Sequence, residues 1–176
     1  MSEERIELGL PGWQLRRWRE ADAPALQQLA DDERIARWMV DTWPMPYTLD
    51  DARWWVTEGH QASGSGTWAI CLNDAPQGGC GFHPGQGPLR CNAEVGWWLA
   101  PTFWGLGVTS RAAREVVAQA LAQPDITRAF AGIYDGNAPS RRVAEKIGMQ
   151  YEGLQRQSVI KQGRVLDRHL YASYRA

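Results

Sequence analysis

Asn92-Ala93-Glu94-Val95-Gly96-Trp97-Trp98-Leu99-Ala100, closed by Pro101, runs into Phe103-Trp104-Gly105-Leu106-Gly107-Val108-Thr109 and then into Ser110-Arg111-Ala112-Ala113-Arg114-Glu115-Val116-Val117-Ala118-Gln119-Ala120-Leu121. The first piece is an apolar, strand-like run that a proline ends. In the third, Ala112, Ala113, Val116, Val117, Ala120 and Leu121 recur at the spacing of one helical face. The glycine-bearing piece between them is therefore a strand-to-helix junction. Such a turn lets several backbone N–H groups converge at a helix N-terminus, where orphan donors and the positive end of the dipole favour an anionic phosphate. A pyrophosphate fits there, although Gly-x-Gly also makes an ordinary turn. Arg111 lies in the first turn of the helix, where a cation is mildly unfavourable unless an anion is near. An exposed arginine paired with a carboxylate elsewhere is the other account of it.

Upstream, residues 13–19 read as a first strand. Asp22 is placed to cap a short helix with Pro24 in its first turn and Leu26 and Leu29 on one face, and Ile35, Trp38 and Met39 extend the helical pattern. Thr48 with Asp51 three residues later predicts a capping box, opening a helix to about Gln61 with Ala52, Trp55 and Val56 at helical spacing. Ser63-Gly64-Ser65-Gly66 is a loop. Residues 67–72 form an apolar strand, Asn73-Asp74-Ala75-Pro76 a turn, residues 79–82 another strand and residues 83–88 a longer loop. Downstream, Pro124 ends the long helix and residues 126–134 are a β-prone apolar run broken by Asp135-Gly136. Asn137-Ala138-Pro139-Ser140 starts a further helix, with Asn137 as natural N-cap, Pro139 in the first turn, and Val143, Ala144 and Ile147 on one face. Residues 150–160 and 164–174, around Lys161-Gln162-Gly163, predict a hairpin.

The chain has 176 residues, 44% of them hydrophobic, which suits one domain, 1–176, with a substantial core. Its 19 Lys plus Arg nearly balance 20 Asp plus Glu, so no global field attracts nucleic acid or an anionic membrane, and any anion site must be local. No apolar run approaches the roughly 20 residues of a membrane span, and the charged start, Met1 to Glu7, lacks a signal core, so a cytoplasmic protein is expected. Cys71, Cys80 and Cys91 have neither CxxC nor paired Cys/His spacing, which argues against a disulfide framework and a structural zinc; no metal site is expected, and the three are read as buried thiols. None stands beside a histidine or a helix start, which disfavours a covalent acyl-cysteine route. Ten tryptophans, with Trp54-Trp55 and Trp97-Trp98 in tandem, suit core packing, and the same rings suit pocket walls.

Five ordered pieces together resemble the GNAT superfamily of N-acetyltransferases, in the branch of the ribosomal-protein alanine and serine N-terminal acetyltransferases. They are Pro46-Tyr47-Thr48-Leu49-Asp50-Asp51-Ala52; Ala93-Glu94-Val95-Gly96-Trp97-Trp98-Leu99; Trp104-Gly105-Leu106-Gly107; Asn137-Ala138-Pro139-Ser140-Arg141-Arg142-Val143-Ala144-Glu145-Lys146-Ile147-Gly148-Met149; and Gly163-Arg164-Val165-Leu166-Asp167. The resemblance implies an α+β fold: a mixed, mostly antiparallel sheet, flanked by helices, whose central parallel strands splay apart to admit acetyl-coenzyme A as cosubstrate. It implies that Trp97, Trp98 and Leu99 pair through their backbone with the pantetheine arm. It further implies that Trp104, Gly105, Leu106, Gly107, Val108, Thr109 and Ser110 hold the pyrophosphate and that Asn137 contacts the cofactor arm. Arg111, Arg141 and Arg142 are further phosphate candidates, because guanidinium offers planar, multi-donor recognition.

For catalysis the resemblance points to Glu94 as acceptor of the amine proton and, since Ala144 stands where one branch carries a tyrosine acid, to Ser140 as donor to the departing sulfur. Each has a structural alternative: an Arg-paired strand carboxylate for Glu94, and helix capping for Asn137 and Ser140. Trp104, Leu106, Thr109 and Arg111 depart from the family's commoner residues, so phosphate contacts are redistributed or the chain is a coenzyme-A-binding sensor without turnover. A dinucleotide oxidoreductase is excluded by the missing third glycine and downstream acid, and a serine hydrolase by the lack of Gly-x-Ser-x-Gly. The expected partner is an amine acceptor, small molecule or protein N-terminus, with no nucleic acid and no membrane; a homodimer is compatible with the sequence.

Overall fold

The computed structural model describes residues 5–61 and 64–176. In chain order its strands are β1 (Arg5–Leu10), β2 (Trp13–Arg16), β3 (Gly66–Leu72), β4 (Ala75–Pro84), β5 (Asn92–Leu99), β6 (Arg128–Tyr134), β7 (Gln150–Lys161) and β8 (Arg164–Tyr174). The helices are α1 (Ala23–Ala30), α2 (Glu33–Ala36), α3 (Leu49–Thr57), α4 (Val108–Leu121) and α5 (Ala138–Lys146). All eight strands form one sheet in the order β1-β2-β3-β4-β5-β6-β8-β7. Every neighbouring pair is antiparallel except β5 and β6, which are parallel and joined through α4. That connection is a requirement, because parallel neighbours need a crossover rather than a tight turn.

Local chemistry sets the tight turns. Asn73 and Asp74 take φ of 48° and 70° between β3 and β4, and Gln162 and Gly163 take 50° and 74° between β7 and β8, as two-residue hairpins demand. The reciprocal Thr48/Asp51 capping box opens α3 as expected. At α1 the expected cap is absent: Asp22 occupies the N-cap position, but its carboxylate instead takes both terminal nitrogens of buried Arg16, at 2.7 and 2.8 Å. The first strand starts earlier than read, since charged residues from Arg5 onward pair with β2 as an edge, and β2 stops at Arg16. Helix α3 ends at Thr57 and a separate 3-10 turn carries the chain to Gln61; β4 runs on to Pro84, inside the expected loop. Ser63 of the expected Ser63–Gly66 loop, and the charged start before Arg5, lie outside the described residues.

Two apolar layers flank the sheet. On one face the buried side of α4 (Ala112, Val116, Ala120) and Ala144 of α5 pack on Ala93, Val95 and Leu99 of β5 and Ala129, Ala131 and Ile133 of β6. On the other, Leu26 of α1 and Ala52 and Val56 of α3 pack with Ala69 and Cys71 of β3, with Trp43 and Trp98 at the margin. Of the ten tryptophans, Trp13, Trp18 and Trp68 are buried core residues, whereas Trp54 and Trp104 are exposed. Cys71 and Cys80 are buried, their thiols pushed up by desolvation, Cys71 to about 12. Cys91 corrects the expectation, since it is exposed at the entry to β5.

Candidate active site

The site begins where a ladder ends. β5 and β6 pair only at Asn92–Arg128, Ala93–Ala129 and Glu94–Phe130, although β5 continues to Leu99 and β6 to Tyr134. Both outer sides stay paired, β5 with β4 through Leu99 and β6 with β8 through Tyr134. Beyond Glu94, therefore, the peptide groups that each strand turns toward the other have no ladder partner. A buried, unpaired peptide group is costly, so this gap is shaped for something that supplies donors and acceptors.

The glycine loop closes one end of the gap. Trp104 donates its indole Nε1–H to the Leu99 carbonyl at 2.7 Å, pinning the loop to the end of β5. Gly105 and Gly107 follow with φ of 82° and 79°, and a Cβ placed on either would meet no heavy atom within 4 Å. The left-handed backbone and the open space both suit a ligand that approaches the main chain closely. Gly107 is the N-cap of α4 and supplies no capping side chain, which leaves the amides of Val108, Thr109 and Ser110 to the orphan positions of the first turn. Leu106 points to solvent and Val108 into the core. The residues present thus fit a pyrophosphate at the loop and an amide-bearing arm in the gap.

The three candidate arginines separate. Arg111 donates to the Leu8 carbonyl of β1 at 3.0 Å, and Arg141 donates through Nε to the Tyr171 hydroxyl at 3.1 Å. The side chain of Arg142, exposed on α5, has no hydrogen-bond partner among the described residues. Asn137 is nine-tenths buried and caps α5, its Oδ1 accepting the backbone N–H of Ser140 at 3.3 Å. Capping therefore belongs to the Asn137 side chain; the half-buried Ser140 hydroxyl has no partner among the described residues.

Strand alternation turns Glu94, Gly96 and Trp98 to the face away from α4. Glu94 sits at the last paired rung, its side chain about half exposed, with Oε1 3.4 Å from Nη1 of Arg168. His83 of β4 lies directly opposite Glu94 in the ladder and holds the Ser65 hydroxyl at 2.8 Å through Nδ1. Burial lowers the His83 imidazole's proton affinity, with Glu94 opposing the shift. Tyr134, at the far end of β6, has its phenol pushed up by burial, with Arg168 acting in the other direction. The sequence reading missed Arg168, His83 and Tyr134. Only Gly132, a glycine inside an apolar strand, hinted at a close approach there.

The sequence matches the family described as Acetyltransferase (GNAT) domain over residues 14–150, and the chain belongs to that family. A curated relative from Bacillus subtilis (strain 168), "Uncharacterized N-acetyltransferase YoaA", is 30% identical over 107 residues, spanning 60% of this chain and 60% of its own. Among solved structures, "RimL- Ribosomal L7/L12 alpha-N-protein acetyltransferase in complex with Coenzyme A" superposes with a TM-score of 0.83 at 24% identity, over 97% of this chain and 98% of that one. "Microcin C7 self immunity acetyltransferase MccE in complex with Acetyl-CoA and AMP" does so with a TM-score of 0.80 at 18% identity, over 93% and 92%. At these identities the structures establish the shared fold. Among the described residues no helix is long and apolar enough to cross a membrane.

Proposed function

We propose that this chain is an acetyl-coenzyme A-dependent N-acetyltransferase in which an amine attacks the thioester directly. The observation that carries the reading is the parting of β5 and β6 beyond Glu94, with the open Gly105 and Gly107 backbone at its end. The backbone of Trp97, Trp98 and Leu99 would hold the pantetheine amides, the loop of Trp104 to Ser110 the pyrophosphate, and Arg142 a further phosphate. The coenzyme A and acetyl-coenzyme A complexes of proteins with this fold support that use of the gap.

The chemistry assigned to the chain's own groups is acid-base. An amine is mostly protonated at neutral pH and must lose a proton to attack. Glu94 takes that proton, the nitrogen lone pair forms the N–C bond at the carbonyl carbon, and the C–S bond breaks with its electrons going to sulfur. Strand N–H groups stabilise charge on the carbonyl oxygen, and the uncommitted Ser140 hydroxyl donates a proton to the leaving thiolate, recovering one from solvent. The acceptor is an amine, a protein N-terminus or a small molecule, reaching Glu94 from its exposed side.

Release of free thiol, measured across amino acids, polyamines, aromatic amines and peptides with free N-termini, tests the reading. At least one class should consume acetyl-coenzyme A. Glu94→Gln keeps the shape but cannot accept the proton, and should lower turnover by on the order of 10²- to 10⁴-fold with acetyl-coenzyme A affinity unchanged. Binding without turnover for every amine would make the chain a coenzyme-A sensor; superimposable pH–rate profiles for the two proteins would hand the proton to solvent.

A further inference from the structure

Arg168 lies on β8, yet its guanidinium reaches Glu94 on β5, two strands or roughly 10 Å of sheet away. What permits the crossing is Gly132 on the intervening strand β6. A Cβ at Gly132 would stand 2.7 Å from Arg168 Cδ, 2.9 Å from Nη1 and 3.0 Å from Nε. The arginine therefore occupies the space that any other residue at 132 would fill. Gly132 has no positive φ, so its backbone does not require glycine and the missing side chain does. The guanidinium is also held at its other end, where Nε donates to Gln155 Oε1 of β7 at 3.0 Å. From β7 through β8 and β6 to β5, one side chain spans the face of the sheet on which Glu94 is exposed, and it lands at the rung where β5 and β6 part.

We propose that Arg168 is a positioning residue for the transfer: laid across Gly132 and anchored by Gln155, its guanidinium fixes the Glu94 carboxylate at the mouth of the gap. The proposal rests on the reading of Glu94 as the group that takes the amine proton. A flexible glutamate that is half exposed samples several rotamers, whereas one held by a guanidinium that is itself pinned at two points keeps one direction. Orientation of this kind is worth much in rate and little in stability, since a misplacement of about 1 Å can cost on the order of 10²-fold, whereas a partly exposed ion pair adds little to the stability of the fold. Among the described residues, His83 from β4 and Tyr134 from β6 also feel the pair, Glu94 acting on both and Arg168 on Tyr134, and Asp41 before α3, which Lys161 engages at 3.3 Å, acts on Tyr134. The three atoms nearest a Cβ at Gly132 all belong to Arg168.

Steady-state kinetics on Arg168→Met, Arg168→Lys, Glu94→Gln and the Glu94→Gln/Arg168→Met double variant test this, with thermal melts to confirm folding. Arg168→Met should lower kcat by about 10- to 100-fold while KM for acetyl-coenzyme A stays put. Arg168→Lys, which cannot bridge Gln155 and Glu94 together, should recover only part of the loss. In the Glu94→Gln background, Arg168→Met should have no further effect. Gly132→Ala should slow the otherwise native enzyme as Arg168→Met does, yet add nothing in an Arg168→Ala background. Wild-type turnover for Arg168→Met beside a slow Glu94→Gln overturns the positioning role and leaves the base in place. A double variant slower than Glu94→Gln alone also overturns it, because Arg168 would then act on something else. Wild-type turnover for Glu94→Gln overturns the base itself and the positioning role with it.

Discussion

Ser140 shows what single residues reveal and conceal. The segment Asn137-Ala138-Pro139-Ser140 made a helix start legible, because an N-cap, an early proline and the apolar spacing agree on one boundary. The spacing names Asn137 as the natural N-cap but leaves capping open to Ser140 as well, and the structure separates the two. The cap is Asn137, so the Ser140 hydroxyl is left without a structural task among the described residues. Ser140→Ala should accordingly change folding stability by no more than about 0.5 kcal/mol, while single-turnover acetyl transfer at saturating acetyl-coenzyme A slows. An unchanged rate would remove Ser140 from the chemistry. Asn137→Ala should do the reverse first, lowering stability by about 1 kcal/mol through the lost cap. Glu94 was recognisable as a strand carboxylate, but its partner Arg168 lies 74 residues later and reaches it over a strand between them, a relation no local pattern encodes.

At the scale of elements, the junction from β5 through the glycine loop to α4 was the most readable part of the chain. Strand period, proline stop, glycines and helical face follow one another without conflict there; the observed β5 boundaries fall within one residue of those expected and the α4 boundaries within two. Edges were less readable: β1 carries too many charges to signal a strand, since an edge needs only one apolar side, as at Leu8. The loop also carries a sharp expectation. Gly107→Val forces a branched side chain into φ near 79°, and it fills the space beside the backbone. The apo protein should lose about 1–3 kcal/mol to backbone strain. The diagnostic quantity is the rise in melting temperature on adding acetyl-coenzyme A, which should vanish. Calorimetric binding that survives the substitution would place the pyrophosphate elsewhere.

Across the whole molecule, one buried cluster ties regions far apart in sequence. Arg16 in β2 is bonded to both oxygens of Asp22 before α1, to the Asp74 carbonyl at 2.7 Å and to its carboxylate at 3.0 Å in the β3–β4 turn. Asp22→Ala leaves a nearly inaccessible guanidinium without its main partner and should cost about 3–5 kcal/mol in chemical denaturation. Asp74 is more exposed, and hydrogen bonding from Arg19, aided by the charges of Arg16 and Arg5, holds its carboxyl below the usual range. Its folded affinity for a proton being reduced, its contribution is present above the ordinary carboxylate range and fades as pH falls through the folded value. Asp74→Asn should thus lower the melting temperature at pH 7 and converge on the parent under acid conditions. Composition predicts one domain and no long-range field; it could not reveal this cluster, because a buried arginine looks like any other charge in a sequence.

The three shared rungs of β5 and β6 leave five strands on one side of the parting and three on the other, joined there by little of the lattice that stiffens each half. A guest that filled the missing rungs would act, for as long as it stayed, as a strand of the host. With the gap empty the two plates share three rungs and the apolar layer under α4, which packs on both β5 and β6; an occupant would add a seam of backbone bonds to these, so that binding should stiffen the middle of the sheet more than its edges.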